Sequence, residues 1–316
     1  MQTFSVEFFL EKLLTQLLDP SYLKSFALIG ALLAGGQIFN AIRLSGPSAS
    51  ETDKKVKVII SSWWKIVLAV FLAFAGGKYT AIPLFYILSL YALREYIGVS
   101  ALRDQPTRLL IGGAIGISLH YMSLVLQDYF LFFASIQLYS LLVLMPFIIF
   151  TSNLDRLPQV IAFYLGVMVM GVLLSFPVAI LTFESDIFGS ATNARIAVLL
   201  LIVLTEVNDI LQFICGKLFG RRKVIPAISP NKTEAGFIGG AILSTLLAVL
   251  LWPKFIPLNW PQAAILGFLL SIAGMLGDLV FSAIKRYRGV KDFSALIPGH
   301  GGVLDRVDSL LATGPV

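Results

Sequence analysis

Two polar stretches near the end of this chain hold the residue types that handle phosphate. The first, at 220–240, reads GRRKVIPAISPNKTEAGFIGG. It gathers Arg221, Arg222, Lys223, Ser229, Lys232 and Thr233 with several glycines into one short connection. Cationic and main-chain donors packed in this way can cradle phosphate oxygens, although a basic loop by itself also serves as a simple topology signal. The second, at 282–309, reads SAIKRYRGVKDFSALIPGHGGVLDRVDS. Here Lys285, Arg286, Lys291 and Arg306 alternate with Asp292, Asp305 and Asp308, and His300 sits among Gly299, Gly301 and Gly302. That alternation fits neither a membrane span nor a hydrophobic core. Its natural use is a magnesium–polyphosphate site, in which hard oxygen ligands hold the metal and cations balance phosphate charge. The glycines let the backbone approach closely or take a positive φ.

Further carboxylates lie in apolar surroundings. Glu206 and Asp209 are three apart and share one helix face, and Asp278 stands in an otherwise uncharged run. Acids are costly in hydrocarbon and turn toward a bundle interior or a polar cavity. Packed structural acids are the plain alternative, and such a set would also suit a proton-coupled transporter. The chain has two histidines, His120 and His300, and one cysteine, Cys215, too few for a usual zinc site. His120 and Cys215 lie in apolar stretches and read as packing residues. No Walker A loop, dinucleotide fingerprint or serine nucleophile elbow occurs.

The elements that must position these residues are greasy. Of 316 residues 57% are hydrophobic and only 13% charged, which excludes an ordinary soluble domain. The expected fold is an all-α, polytopic helical membrane protein with about nine transmembrane helices and a cytoplasmic polar site. Spans are expected near 23–42, 65–80, 81–97, 108–126, 131–150, 159–181, 197–216, 237–251 and 261–284. Residues 1–19 read as an amphipathic surface helix, with Phe8, Phe9, Leu13, Leu14, Leu17 and Leu18 on its apolar side. Basic connections at 43–65, 94–108 and 217–232, together with the basic tail, place the polar site and the C-terminus in the cytoplasm. The expected organisation is an N-terminal transmembrane region, 1–195, with a cytoplasmic loop at 43–64. A C-terminal catalytic region, 196–316, follows, with a loop at 217–236 and the signature tail at 278–309. The net charge of +6 suits anionic headgroups and a polyanionic substrate, and no basic helix stands apart to bind nucleic acid.

The tail resembles the signature of the phosphatidate cytidylyltransferase family, the CDP-diacylglycerol synthases. The matching positions are Ser282, Lys285, Arg286, Lys291, Asp292, Pro298, Gly299, His300, Gly301, Gly302, Asp305, Arg306 and Asp308. Upstream, Gly277-Asp278 matches the family's Gly-Asp, and Asp209, Gly216, Phe219 and Gly220 match its Asp-to-Phe-Gly helix. Lys223, Pro226, Ser229, Pro230, Lys232, Thr233, Gly236, Gly239 and Gly240 match its Ser-Pro-x-Lys-Thr loop. The N-terminal half matches in general hydrophobic character alone. Two departures stand out: Glu234-Ala235 where the family has Trp-Glu, and Gln212-Phe213 where it has Ala-Tyr.

The resemblance implies transfer of a cytidylyl group from CTP to phosphatidic acid, giving CDP-diacylglycerol and pyrophosphate, with Mg2+ as cofactor. On that footing Asp278 and Asp305 hold the divalent cation, with Asp308 in support, and Asp209 and Asp292 assist the metal or orient cations. Lys285, Arg286, Lys291 and Arg306 stabilise transferring and leaving charge. Arg221, Arg222, Lys223, Ser229, Lys232 and Thr233 bind substrate phosphates, as do Gly301 and Gly302, while His300 touches phosphate or braces the glycine turn. The resemblance allows a homodimer, and the charge pattern suits a bacterial cytoplasmic membrane. A CTP-dependent kinase of a lipid alcohol, a proton-coupled transporter and a non-catalytic relative are the alternatives.

Overall fold

The computed structural model of the chain describes residues 19–45, 51–100, 106–145, 157–183 and 190–316, with Thr15 and Ile149 besides. The amphipathic helix expected at 1–19 lies almost wholly outside the described residues. Among the described residues, 83% are helical and there is no sheet. In chain order the helices are α1 (Pro20–Ser45), α2 (Glu51–Ala75), α3 (Lys78–Val99), α4 (Pro106–Leu126), α5 (Tyr129–Tyr139), α6 (Leu157–Val167), α7 (Phe176–Thr182), α8 (Ala191–Phe219), α9 (Glu234–Phe255), α10 (Trp260–Tyr287) and α11 (Leu304–Thr313). Turns of wider and tighter helix extend α5 and join α6 to α7.

Among the described residues, eight helical segments are long and apolar enough to span a bilayer. A shorter apolar helix, Tyr129–Leu142, lies where another span is expected. Large apolar side chains face outward along these helices: Phe130, Phe213, Ile238 and Ile265 are all more than 60% exposed. Water would penalise such a surface and lipid does not. The chain is a polytopic helical membrane protein.

One expectation is corrected. The polar loop placed at 43–64 is helical from Glu51 onward, so the second span starts earlier and α2 carries Lys54 and Lys57 on its opening turns. No glycine or proline interrupts 51–75, and Val56, Ile59 and Ile60 continue a helical pattern that the lysines disguise. The break between α2 and α3 falls at Gly76-Gly77, where Gly77 takes a φ of 58°. Thr80 Oγ1 donates to the carbonyls of Ala73 and Gly77 and closes that turn.

The chain divides into two compact units, Met1–Leu84 with Ala295–Gly301, and Phe85–Ser294 with Gly302–Val316. In the first, α1 packs on α2 through an aromatic cluster of Tyr22, Phe26 and Phe71, and the Trp64 indole donates to Gln37 at 2.8 Å. In the second, α8 packs along α9, α9 along α10 and α10 along α11. Asn208 on α8 ties this set together: its Oδ1 accepts from Ser271 (2.6 Å) on α10 and Ser244 (3.2 Å) on α9. Such bonds satisfy buried polar atoms that hydrocarbon cannot. His120 is the packing residue expected, buried between Ser135 and Ser175 with 2.8 Å to each hydroxyl. Cys215 is likewise buried, packed where Gly239 leaves room for its sulfur. Trp252, near the end of α9, is buried.

Candidate active site in the C-terminal helices

The polar residues of the second unit are positioned by α8, the 220–233 connection, α10 and the tail that leads into α11. The connection is closed on itself. Lys223 and Thr233 pair as an antiparallel bridge, Val224 N–H donates to the Lys232 carbonyl, and Glu234 N–H donates to the Arg222 carbonyl. Thr233 then caps α9, its hydroxyl accepting from Gly236 N–H at 3.1 Å. A short hydroxyl side chain is what an open helix N-terminus selects. Thr233 is buried in that role, whereas Arg221, Arg222 and Lys223 stand exposed and Ser229 half-buried.

Lys232 leaves the connection to form an ion pair with Asp278 on α10. Asp278 also accepts from Ser282 one turn on, at 3.1 Å. Gly277 permits α11 to lie against this stretch of α10: a Cβ there would stand 2.6 Å from the Asp308 carbonyl oxygen and 2.9 Å from Ala312. The close approach brings Asp308 into the field of Asp278. On the α8 side, Asp209 accepts from the Ser309 hydroxyl at 2.9 Å. Asp209, Asp278 and Asp308 therefore form one acidic group with Lys232 and Lys285 at its edge. The Asp308 carboxyl is pushed up to about 7, first by burial and next by Asp278, with Asp209 adding and Lys285 and its backbone bond to Ser309 opposing. Among the described residues no three of His, Cys, Asp and Glu stand at distances set for a metal ion.

Asp305 sits differently. It is 4% exposed and both oxygens are engaged: Oδ1 accepts from Lys285 Nζ at 2.7 Å, and Oδ2 from the N–H groups of Phe293 (2.8 Å) and Gly302 (2.9 Å). Arg286 reaches the carbonyls of Ile228 and Val290, tying the basic connection to the turn after α10. Lys291, Asp292 and Arg306 are exposed around this core. The signature residues Pro298, Gly299, His300 and Gly301 belong to the first unit. There Ile297 and Gly301 bridge, Gly299 and Gly301 take φ of 79° and 81°, and Ser62 Oγ donates to the Pro298 carbonyl at 2.8 Å. His300 is buried edge-on to Trp63, with ring centroids 5.8 Å apart.

One residue that sequence reasoning missed is Glu95, near the end of α3. Its Oε1 accepts from Ser294 Oγ (2.7 Å) and Val303 N–H (3.0 Å), and its Oε2 from Leu304 N–H (2.8 Å). Val303 and Leu304 open α11, so Glu95 acts as a remote anionic cap on that helix. Gly302 makes room for it: a Cβ there would stand 2.4 Å from the carboxylate. The signal in the sequence was slight, an acid following Arg94 near the end of a span, where a solvated charge is the ordinary reading. Ser309 was also missed.

The departures at 212–213 and 234–235 now have places. Phe213 faces outward at 67% exposure, and Gln212 is buried in the α8–α9 packing, its side chain against Gly240. Glu234 is exposed in the first turn of α9, where an acid complements the helix dipole.

Residues 56–316 match the sequence model of the cytidylyltransferase family. The chain is 36% identical over 298 residues to the uncharacterized protein YnbB of Escherichia coli strain K12, covering 93% of this chain and 96% of that relative. It is 30% identical over 238 residues to a Bacillus subtilis strain 168 protein named phosphatidate cytidylyltransferase, covering 73% and 86%. A protein of the same name from Staphylococcus haemolyticus is 46% identical over 110 residues, 34% of this chain and 42% of the relative.

Two outcomes follow from the geometry. Glu95→Gln keeps the shape but removes the charge that meets Val303 and Leu304, and hydrogen bonds to charged groups contribute about 1.5–3 kcal/mol each. Its unfolding midpoint in detergent is expected to drop and turnover to fall roughly tenfold or more, with Glu95→Asp recovering neither because it is a methylene shorter. For Asp308, a folded-state carboxyl raised above its unfolded value means that the native protein holds a proton the unfolded chain releases. The resulting penalty is absent below about pH 4 and grows as pH rises toward 7. Thermal melts in chelator should therefore show stability falling between about pH 4 and 7, and Asp308→Asn should flatten that slope.

Proposed function

Because this chain belongs to the cytidylyltransferase family, we propose that it transfers a cytidylyl group from CTP to phosphatidic acid, releasing pyrophosphate and leaving CDP-diacylglycerol in the bilayer. It is a nucleotidyltransferase and an integral membrane protein. The relatives named phosphatidate cytidylyltransferase support the lipid substrate. The observation that carries the reading is the joining of an acidic group, Asp209, Asp278 and Asp308, to the cations Lys232 and Lys285 among apolar helices.

In this reading the lipid phosphate, already ionised near neutral pH, attacks the α-phosphorus of CTP in line. The bond from that phosphorus to the β-phosphate oxygen breaks, and the electron pair leaves with pyrophosphate. No strong general base is needed. Lys232 and Lys285 sit beside the acidic group, while Arg221, Arg222, Lys223, Lys291 and Arg306 present exposed donors for the triphosphate. Lys285 is held in place by Asp305, and Arg286 keeps the basic connection against the tail.

The acidic group fits a hard divalent cation by its chemistry, being all carboxylate oxygens that repel one another. Asp209, Asp278 and Asp308 would hold Mg2+, which would neutralise triphosphate charge when bound. Asp305, with every oxygen engaged by donors of the chain, has the holding role instead. The acyl chains stay in the membrane throughout. A bacterial cytoplasmic membrane, with the site facing the cytoplasm, matches the basic connections and the bacterial relatives.

Purified protein in detergent, given phosphatidic acid, CTP and Mg2+, is expected to produce CDP-diacylglycerol and pyrophosphate in equal amounts. Chelation of the metal should abolish both, and Asp278→Asn should lower the rate by roughly a hundredfold or more. Release of CDP with a lipid alcohol as acceptor, and no pyrophosphate, would instead establish a kinase.

A further inference from the structure

The first unit holds a basic cavity that the proposed reaction does not use. Its volume is about 650 Å³, in the range that small ligands and headgroups fill. Lys54, Lys57, Ser61 and Lys65 line one side, at spacings of three, four and four that put them on a single face of α2. Leu44 at the end of α1 and Pro298 of the signature loop form apolar walls. The loop is anchored against this same helix. Ser62 donates to the Pro298 carbonyl, and the Cα of Gly299 sits so close that a Cβ would stand 3.3 Å from both Val58 and Ile59.

The placement of the cations identifies the ligand. Lys54 precedes the apolar span Val56–Ala75, whereas Lys57 and Lys65 lie within its first half. From Lys54 to Lys65 the row rises roughly 16 Å along the helix, at about 1.5 Å per residue. It therefore runs from the water side into headgroup depth, where long lysine stems keep their ammonium groups at the interface. Among the described residues, none lining the cavity is aromatic or acidic, so none of them stacks a base. Lysines clustered at the end of a span attract anionic lipid. We propose that this cavity binds the phosphate of an anionic phospholipid headgroup and seats that lipid beside the signature loop, as a site separate from the one that carries out transfer.

Phosphatidylglycerol is the probe of choice, because it is an anionic phosphodiester and lacks the terminal phosphate that the transfer reaction requires. The test therefore stands whether or not the proposed activity does. Native mass spectrometry of the full-length protein, titrated with phosphatidylglycerol in a zwitterionic background, would count retained lipid. Lys57→Gln/Lys65→Gln is expected to weaken retention roughly tenfold, while Lys57→Arg/Lys65→Arg retains it and Lys254→Gln behaves as wild type. Unchanged melting curves would show that the variants fold. CTP and inorganic phosphate should leave the bound lipid in place. Equal retention by the glutamine variant would overturn the proposal. So would displacement of the lipid by inorganic phosphate or CTP through the same two lysines, which would make the cavity a receptor for soluble phosphate.

Discussion

Burying a carboxylate costs several kcal/mol unless each oxygen meets a donor, and the tail of this protein is built around meeting that demand at Asp305. One oxygen takes the Lys285 ammonium from α10, and the other takes two main-chain N–H groups, from Phe293 before the glycine-rich loop and Gly302 after it. Those bonds fix both ends of the excursion that contains Pro298 and His300. They also hold Lys285 at the edge of the acidic group. Glu95 repeats the device from another helix, meeting the two N–H groups that open α11. An exposed loop of glycines and charges would otherwise cost far more backbone entropy to order than its few apolar contacts could offset.

With the tail held in that way, the remaining acids are brought together rather than satisfied singly. Asp209 comes from α8, Asp278 from α10 and Asp308 from α11, and the fit of α10 to α11 depends on Gly277 having no side chain. Three elements thus converge on one patch of negative potential edged by lysines. The division of labour among carboxylates follows from hydrogen bonding. Asp305 and Glu95, met by chain donors on both oxygens, hold structure, whereas Asp278 and Asp209 face Asp308 and push its carboxyl up.

The membrane fold was legible from the sequence because a polytopic helical protein advertises itself in hydropathy. The residues of the candidate site stood out in the sequence too, since charge and glycine are conspicuous in so apolar a chain. What stayed hidden was partnership. Asp305 was read as a metal holder because a carboxylate in a signature looks available. Its main-chain donors have no side-chain signature, and Phe293 announces only an apolar ring. Glu95 meets Val303 and Leu304 across more than two hundred positions, a contact that no local pattern encodes. The opening of α2 was misread for a different reason: lysines, serines and nearby Gly46-Pro47 resemble a loop, while the helix they belong to is recognisable only from spacing.

The most direct test of this account is amide hydrogen exchange across residues 290–305 in metal-free protein, comparing wild type, Asp305→Ala and Asp278→Ala. Both substitutions remove a carboxylate, but only the first removes the oxygen that accepts from Phe293 and Gly302 N–H and the oxygen that meets Lys285. The account predicts that protection at these two amides collapses in Asp305→Ala and persists in Asp278→Ala. Protection that survives in Asp305→Ala, or is lost equally in both variants, would contradict the claim that Asp305 holds the tail.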